Sequence, residues 1–246
     1  MASERRSAQV HSMSGPIETL LFDFGGTLDA DGVAWKERFH ALYRADGLDV
    51  TSDAFARAFY AADDPLVGSL PPTTDLAGTV HALTMNLERE LTRRFAGRMS
   101  ESGDRTQRIA SDFISDSEAT LKRNRPVLRT LSEHFRLGIV SNFYGNLETV
   151  CKGVGLCTFF NVMVDSHCVG VEKPDPAIFR TALERLDATP EKTVFIGDSL
   201  HRDREGARRV GMRFIRIAPQ SVQAAQTGGH SYLEVTDLQT LVKVLQ

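Results

Sequence analysis

Five short, continuous apolar runs separated by helix-length segments do most to restrict the folds open to this chain. They are Thr19-Leu20-Leu21-Phe22, Leu137-Gly138-Ile139-Val140, Val162-Met163-Val164, Thr193-Val194-Phe195-Ile196 and Phe214-Ile215-Arg216-Ile217. A strand that is apolar on both faces has to be covered on both, and parallel strands need long crossovers, which helices supply. The pattern predicts an α/β fold, a Rossmann-like parallel sheet with helices on either side. Ile178, Phe179, Ala182, Leu183 and Leu186 share one helical face. Arg202 to Val210 reads as a second helix stopped by Gly211, and Leu238, Leu241, Val242 and Leu245 mark a last one.

Between the first and second runs the period becomes helical only. Trp35, Phe39 and Leu42 share a face, as do Phe55 and Phe59; Leu76, Val80, Leu83, Leu87, Leu91 and Phe95 continue the spacing, followed by Ile109, Ala110, Phe113, Ile114 and Leu121. Only the stretch from Asp63-Asp64-Pro65 to Pro71-Pro72 interrupts it. A helical block interrupting an α/β pattern after its first strand reads as an inserted cap. The expected organisation is a core over 17–32 and 125–246, a helical cap domain over 33–124, and a polar, disordered tail over 1–16. The aromatic residues Phe55, Phe59 and Phe95 are read as core packing.

Composition narrows the function classes. Hydrophobic residues at 41% and charged residues at 25% suit a globular domain, and a net charge of −3 offers no footprint for a polyanion. The locally basic Arg202, Arg204, Arg208 and Arg209 read as the solvated side of a helix. No nucleic-acid partner is expected. Nor is a membrane one, since no apolar segment has the length of a span or of a secretory signal. Cys151, Cys157 and Cys168 show no Cys-x-x-Cys spacing and read as idle thiols of a cytoplasmic protein.

In an open parallel sheet, functional groups collect at the carboxyl ends of the strands, near the point where strand order reverses. Four polar segments here follow apolar runs at that end. Asp23 is followed by Gly25-Gly26-Thr27, a carboxylate and a turn able to face an anion. Ser141-Asn142 offers a hydroxyl and amides for a phosphoryl oxygen. Lys173-Pro174-Asp175-Pro176 offers a cation on a stiffened backbone. Gly197-Asp198-Ser199-Leu200-His201-Arg202-Asp203 offers two carboxylates suited to a hard cation such as Mg²⁺. Each alone has a plainer reading as a turn, a surface lysine or a helix cap.

In this order the segments resemble the four motifs of the haloacid dehalogenase (HAD) superfamily: Asp23-x-x-Gly26-Thr27-Leu28, Ser141, Lys173-Pro174, and Gly197-Asp198-Ser199-x-x-x-Asp203 continuing to Gly206-Ala207 and Gly211-Met212. The resemblance spans about residues 19 to 217, and the helical block matches the cap type inserted after the first motif. It implies a phosphatase-like hydrolase in which Asp23 attacks phosphorus to form an aspartyl-phosphate. Ser141 and Lys173 hold the phosphoryl group, helped by Asn142, Gly26 and Thr27. Mg²⁺ is held by the carboxylates of Asp23 and Asp198 and the carbonyl of Gly25, and Asp203 either stands behind these ligands or reaches the ion through a water. The partner it implies is a small phosphorylated molecule.

One position departs from the phosphatase pattern. Two residues after the nucleophile, phosphatases of the superfamily carry an Asp that protonates the leaving group; here the residue is Gly25. A positioned acid/base contributes about 10²–10⁴-fold, so good leaving groups such as acyl phosphates are the favoured substrates. Asp29, Asp31, His40 and His201 are candidate replacements. The alternatives are a domain that binds a phospho-ligand or protein without turnover, and cleavage of a C–P or C–halogen bond. Dehalogenases of the superfamily have an aromatic residue at this position and lack the metal motif. Its phosphonoacetaldehyde hydrolases have Ala and need a cap lysine, for which Lys36 and Lys122 are the only residues available between the first two motifs. Asp63, Asp64 and Arg123 are placed at the cap rim.

Overall fold

The computed structural model describes residues 15–219, 224–227 and 230–245, so most of the expected tail lies outside the described residues. The five apolar runs form β1 (Thr19–Phe22), β2 (Arg136–Ser141), β3 (Val162–Asp165), β4 (Thr193–Gly197) and β5 (Arg213–Ile217). Two further strands, β6 (Ala224–Thr227) and β7 (His230–Val235), complete a sheet of order β3-β2-β1-β4-β5-β7-β6. All neighbours run parallel except β6 against β7. The fold is the α/β, Rossmann-like parallel sheet that the apolar runs predict. β6 and β7 escaped that reading because their stretch has no continuous apolar run, although Gly228-Gly229 is a hairpin signal.

Four helices separate β1 from β2: α1 (Trp35–Ala45), α2 (Ser52–Asp63), α3 (Leu76–Arg94) and α4 (Gly103–His134). Three of them start where a side chain caps the first turn. Thr51 accepts from the Ala54 amide, Asp75 from Gly78 and Ser102 from Arg105, each satisfying a donor that the helix leaves unpaired. α4 is one continuous helix across position 124, with Pro126 inside it, and it leads directly into β2. Beyond single helical turns, the later helices among the described residues are α5 (Leu147–Gly153), α6 (Pro176–Arg185), α7 (Glu205–Val210) and α8 (Leu238–Leu245). The helix expected over 202–210 is present and ends at Gly211 as expected; its first residues belong to a π-helical turn, Leu200–Arg204, that runs directly into α7.

Successive side chains of a strand point to opposite faces, so β1 serves two cores. Leu20 and Phe22 pack with the aromatic residues of the helical block, where Phe39 stacks on Phe113 at 4.3 Å. Leu21 packs with Val140, Phe195 and the stripe Ile178, Phe179, Ala182 and Leu183. One sheet face is therefore continuous with the interior of the helical block. Among the described residues no helix is long and apolar enough to cross a membrane, and the three cysteines are free thiols.

Candidate active site

β1 is the switch point of the sheet. From it the chain continues to β2 and β3 on one side, and later returns to β4 and β5 on the other. Phe22 lies level with Ile139 of β2 and Ile196 of β4. Parallel register thus brings the ends of three adjacent strands together, and with them Ser141, Asp23 and Asp198. The crevice that such a reversal opens is where an α/β sheet binds ligands.

The four polar segments meet there. Three donors converge on Asp23 Oδ1: the Phe24 amide at 2.7 Å, the Ser141 hydroxyl at 2.8 Å and Lys173 Nζ at 2.8 Å. Among the described residues, Oδ2 takes none of these bonds. Lys173 Nζ also meets Asp203 Oδ1 at 2.7 Å, while Asp203 Oδ2 accepts from the Ser199 amide at 3.0 Å. Lys173 and Asp203 are buried. The Asn142 side chain fixes the backbone of Lys173 by accepting from its amide at 2.7 Å and donating to its carbonyl at 3.1 Å.

Carboxylate oxygens of Asp23, Asp198 and Asp203 all lie within 4.8 Å of one another. Three carboxylates face one ammonium, and the imbalance shows in their proton affinities. Burial, reinforced by Asp203 and Asp23, pushes Asp198 well above the usual carboxylate range. Burial also raises Asp203, although Lys173 opposes it. Burial works to lower Lys173, but the coulombic pull of Asp203 and Asp23 outweighs it and raises the ammonium pKa. The only side-chain bond to the Asp198 carboxylate among the described residues is a long one from the Thr27 hydroxyl, at 3.3 Å. A cluster of hard oxygen donors with unneutralised negative charge is what a small divalent cation fits.

The turn after β1 is built around Asp29. This carboxylate is fully buried, accepting from the Gly26 amide and the Trp35 indole at 2.7 Å each and from Arg38 at 2.9 Å. Gly26 has φ +88°, and a Cβ there would stand 2.9 Å from Asp198 Oδ2, so only glycine fits. Beside Gly25 stands the indole of Trp35, which a Cβ at Gly25 would meet at 3.3 Å. The space an acidic side chain would use on this wall is therefore bordered by an aromatic ring of α1.

A cleft of about 270 Å³ opens over the strand ends. Asp23, Gly25, Ser141, Asn142, Lys173 and Asp198 line its floor. Gly26 and Thr27 are not among the lining residues; the Gly26 amide is taken by Asp29 and the buried Thr27 supports Asp198. Asp29, Asp31, His40 and His201 do not line it either. Asp29 is saturated, Asp31 pairs with Arg123, and His40 bonds the Val50 carbonyl at 3.0 Å and stacks on Phe55. The upper wall comes from the helical block, through Trp35, Lys36, Tyr60 and Asp63, and from Tyr144 and Arg202. Asp64 lines a smaller neighbouring cleft with Arg202 and Glu172. Tyr144 and Arg202 were not anticipated as cleft residues. Tyr144 lay in plain sight three residues past Ser141, and Arg202 was read as part of a solvated helix side.

Comparisons with known proteins agree with this architecture. The haloacid dehalogenase-like hydrolase family pattern matches residues 17–211. A bovine haloacid dehalogenase-like hydrolase domain-containing protein 3 (Bos taurus) is 32% identical over 197 residues, covering 74% of each chain. The pyrophosphatase PpaX of Listeria welshimeri is 31% identical over 192 residues, 77% of this chain and 78% of that one. A glyceraldehyde 3-phosphate phosphatase of Methanopyrus kandleri is 41% identical over 95 residues, 37% of this chain and 40% of its own length. Among solved structures, the magnesium-bound HAD-hydrolase YfnB from Bacillus subtilis superposes with a TM-score of 0.58 at 20% identity, over 94% of this chain and 100% of that one. The L-2-haloacid dehalogenase RSc1362 reaches 0.62 at 18% identity, with the same coverage; both show a common fold. The chain belongs to the haloacid dehalogenase superfamily and is a hydrolase of its phosphatase-like kind.

Proposed function

We propose that the chain is a Mg²⁺-dependent hydrolase of a small phosphorylated metabolite, working through an aspartyl-phosphate on Asp23. The observation that carries this reading is the state of Asp23: one carboxylate oxygen is held by three donors and the other is uncommitted among the described residues, at the floor of a cleft. The phosphatase and pyrophosphatase relatives favour a phosphorylated substrate. The cleft volume of about 270 Å³ favours a small one.

In this reading Asp23 attacks phosphorus, and the bond to the leaving oxygen breaks. Lys173 and Ser141, already aligned on Asp23, hold the phosphoryl oxygens as charge builds. Asp203 positions Lys173, since both its oxygens are engaged by Lys173 and the Ser199 amide. Mg²⁺, held by the carboxylates of Asp23 and Asp198 and the Gly25 carbonyl, would neutralise phosphoryl charge that Lys173 alone cannot. Water then hydrolyses the aspartyl-phosphate. Imine chemistry on Lys36 is disfavoured: burial works to lower its pKa, but Glu37 and Tyr60 outweigh that and raise it, keeping the amine protonated.

Gly25 supplies no acid and Asp29 is spent on the turn, so acetyl phosphate and p-nitrophenyl phosphate are where activity should show first. Phosphate release from them is expected to need Mg²⁺ and to fall by at least about 10³-fold in Asp23→Asn, which keeps the side-chain shape but removes the nucleophile. Full activity in the Asn variant would refute the mechanism.

A further inference from the structure

A proton for a poor leaving group has to come from some other wall of the cleft than the turn after β1. The described carboxylates that line the cleft are Asp23, Asp198, Glu37 and Asp63. The first two belong to the charge cluster on the floor. Glu37 pairs with Lys36 at 3.1 Å, with nearly half its side chain in solvent. Asp63 is different in kind. It ends α2 on the upper wall, and among the described residues no salt bridge reaches it. Among the described residues the one hydrogen bond to its side chain comes from the buried Tyr144, whose hydroxyl donates to Oδ1 at 2.5 Å. Tyr144 in turn follows Ser141 by three residues, so a single loop from β2 joins the phosphoryl-holding hydroxyl to the partner of Asp63.

We propose that Asp63, oriented by Tyr144, is the general acid and base of this site, supplying from the helical block the proton that Gly25 cannot. The assignment rests on Asp23 being the nucleophile. As the Asp23 oxygen bonds to phosphorus and the ester P–O bond breaks, the Asp63 proton passes to the leaving oxygen and an alcohol departs. The Asp63 carboxylate then takes a proton from the water whose oxygen attacks the aspartyl-phosphate. The P–O bond to Asp23 breaks, phosphate leaves, and both carboxyl groups return to their starting states.

The surroundings of Asp63 suit a group that gives up and regains a proton. Burial is the main cause that pushes it up to about 6; Asp64 on its own turn and Glu172 before Lys173 add to this, while Tyr144 and Arg202 oppose it. Lys36, Glu37 and Tyr60 face the same cleft from α1 and α2. An acid titrating near the working pH is the most effective kind of proton-transfer catalyst.

The test follows leaving-group release in single turnovers with Mg²⁺, so that only phosphoryl transfer to Asp23 is read. The substrates are 4-nitrophenyl, phenyl and benzyl phosphate, which are similar in size and increasingly poor in leaving group. In Asp63→Asn the benzyl ester should lose about 10²–10⁴-fold, phenyl less, and nitrophenyl least, since nitrophenolate needs little protonation. Wild-type release from benzyl phosphate should fall as pH rises through about 6, where Asp63 gives up its proton. That limb should vanish in Asp63→Asn and move to higher pH in Tyr144→Phe, because the tyrosine hydrogen bond favours the carboxylate. An equal loss on all three esters, or no loss on the benzyl ester, would overturn the assignment. If Asp23→Asn is inactive while the Asp63→Asn loss is flat, only the acid assignment fails. Release retained in Asp23→Asn, or absent from wild type on every ester, would bring down the nucleophile reading and this one with it.

Discussion

Asp23 and Asp29 stand at the two ends of one short turn, and each is buried against a cation, Lys173 at 2.8 Å and Arg38 at 2.9 Å. Their networks differ in closure. Asp29 has both oxygens engaged, by the Gly26 amide and by Trp35 and Arg38, and Arg38 continues to the Phe113 carbonyl and Ser117 of α4. The Asp29 network fastens the turn to the helical block. Asp23 keeps one oxygen uncommitted and shares its cation with Asp203, next to an Asp198 that no ammonium meets directly among the described residues. Burial and charge pairing are common to both sites. What separates structure from chemistry here is the coordination left over: the Asp29 network has none, and the Asp23 cluster has oxygens and negative charge to spare.

The contrast is sharpest in stability. Asp29→Ala leaves the buried Arg38 guanidinium with only the solvent-exposed carboxylate of Asp116, at 3.0 Å, to pair with, and is expected to cost about 3 kcal/mol. Asp23→Asn, which leaves Lys173 paired with Asp203 and relieves repulsion on Asp198, should stay within about 1 kcal/mol of wild type. Urea denaturation of both variants without divalent cation decides the matter. Equal losses would mean that the two networks are mechanically alike and that the comparison fails.

Mg²⁺ probes the same difference from the ligand side. At about 100 times its dissociation constant it should stabilise the wild type by about 2.7 kcal/mol. Asp198→Asn should lose most of that gain, because it removes a proposed ligand from the cluster. Thermal unfolding across a Mg²⁺ titration reads both, and an undiminished gain in the variant would place the cation elsewhere.

The smaller effects concern the border between the networks. Trp35→Phe deletes one charge-assisted donor to Asp29 and should cost about 1.5–3 kcal/mol. Gly25→Ala puts a Cβ 3.3 Å from the Trp35 indole nitrogen, a mild overpacking expected to cost about 1 kcal/mol. In the Trp35→Phe background that second cost should shrink, since Phe has no atom at the indole nitrogen position. Additive losses in the double variant would show that Trp35 does not constrain position 25.

Much of the core was legible from residue order. The apolar runs located β1 to β5, because a buried parallel strand needs an unbroken apolar stretch. Each strand end then named its polar group, and parallel register alone brings Asp23, Ser141 and Asp198 together. β6 and β7 were not legible, for their stretch lacks such a run. Nor was the partner of Asp29. Its acidic side chain six residues past Asp23 looked like a spare acid, and only the approach of Trp35, Arg38 and Ser117 shows it to be spent.

The floor of the cleft was therefore written in the sequence, because covalent order and strand pairing fix where a strand ends and which strand ends are neighbours. The upper wall was decided by tertiary structure. Asp63 and Tyr144 lie 81 positions apart, and no local rule of spacing or propensity brings them within a hydrogen bond. Their meeting depends on how α2 packs over the loop after β2, a matter of side-chain shape and burial across the whole helical block.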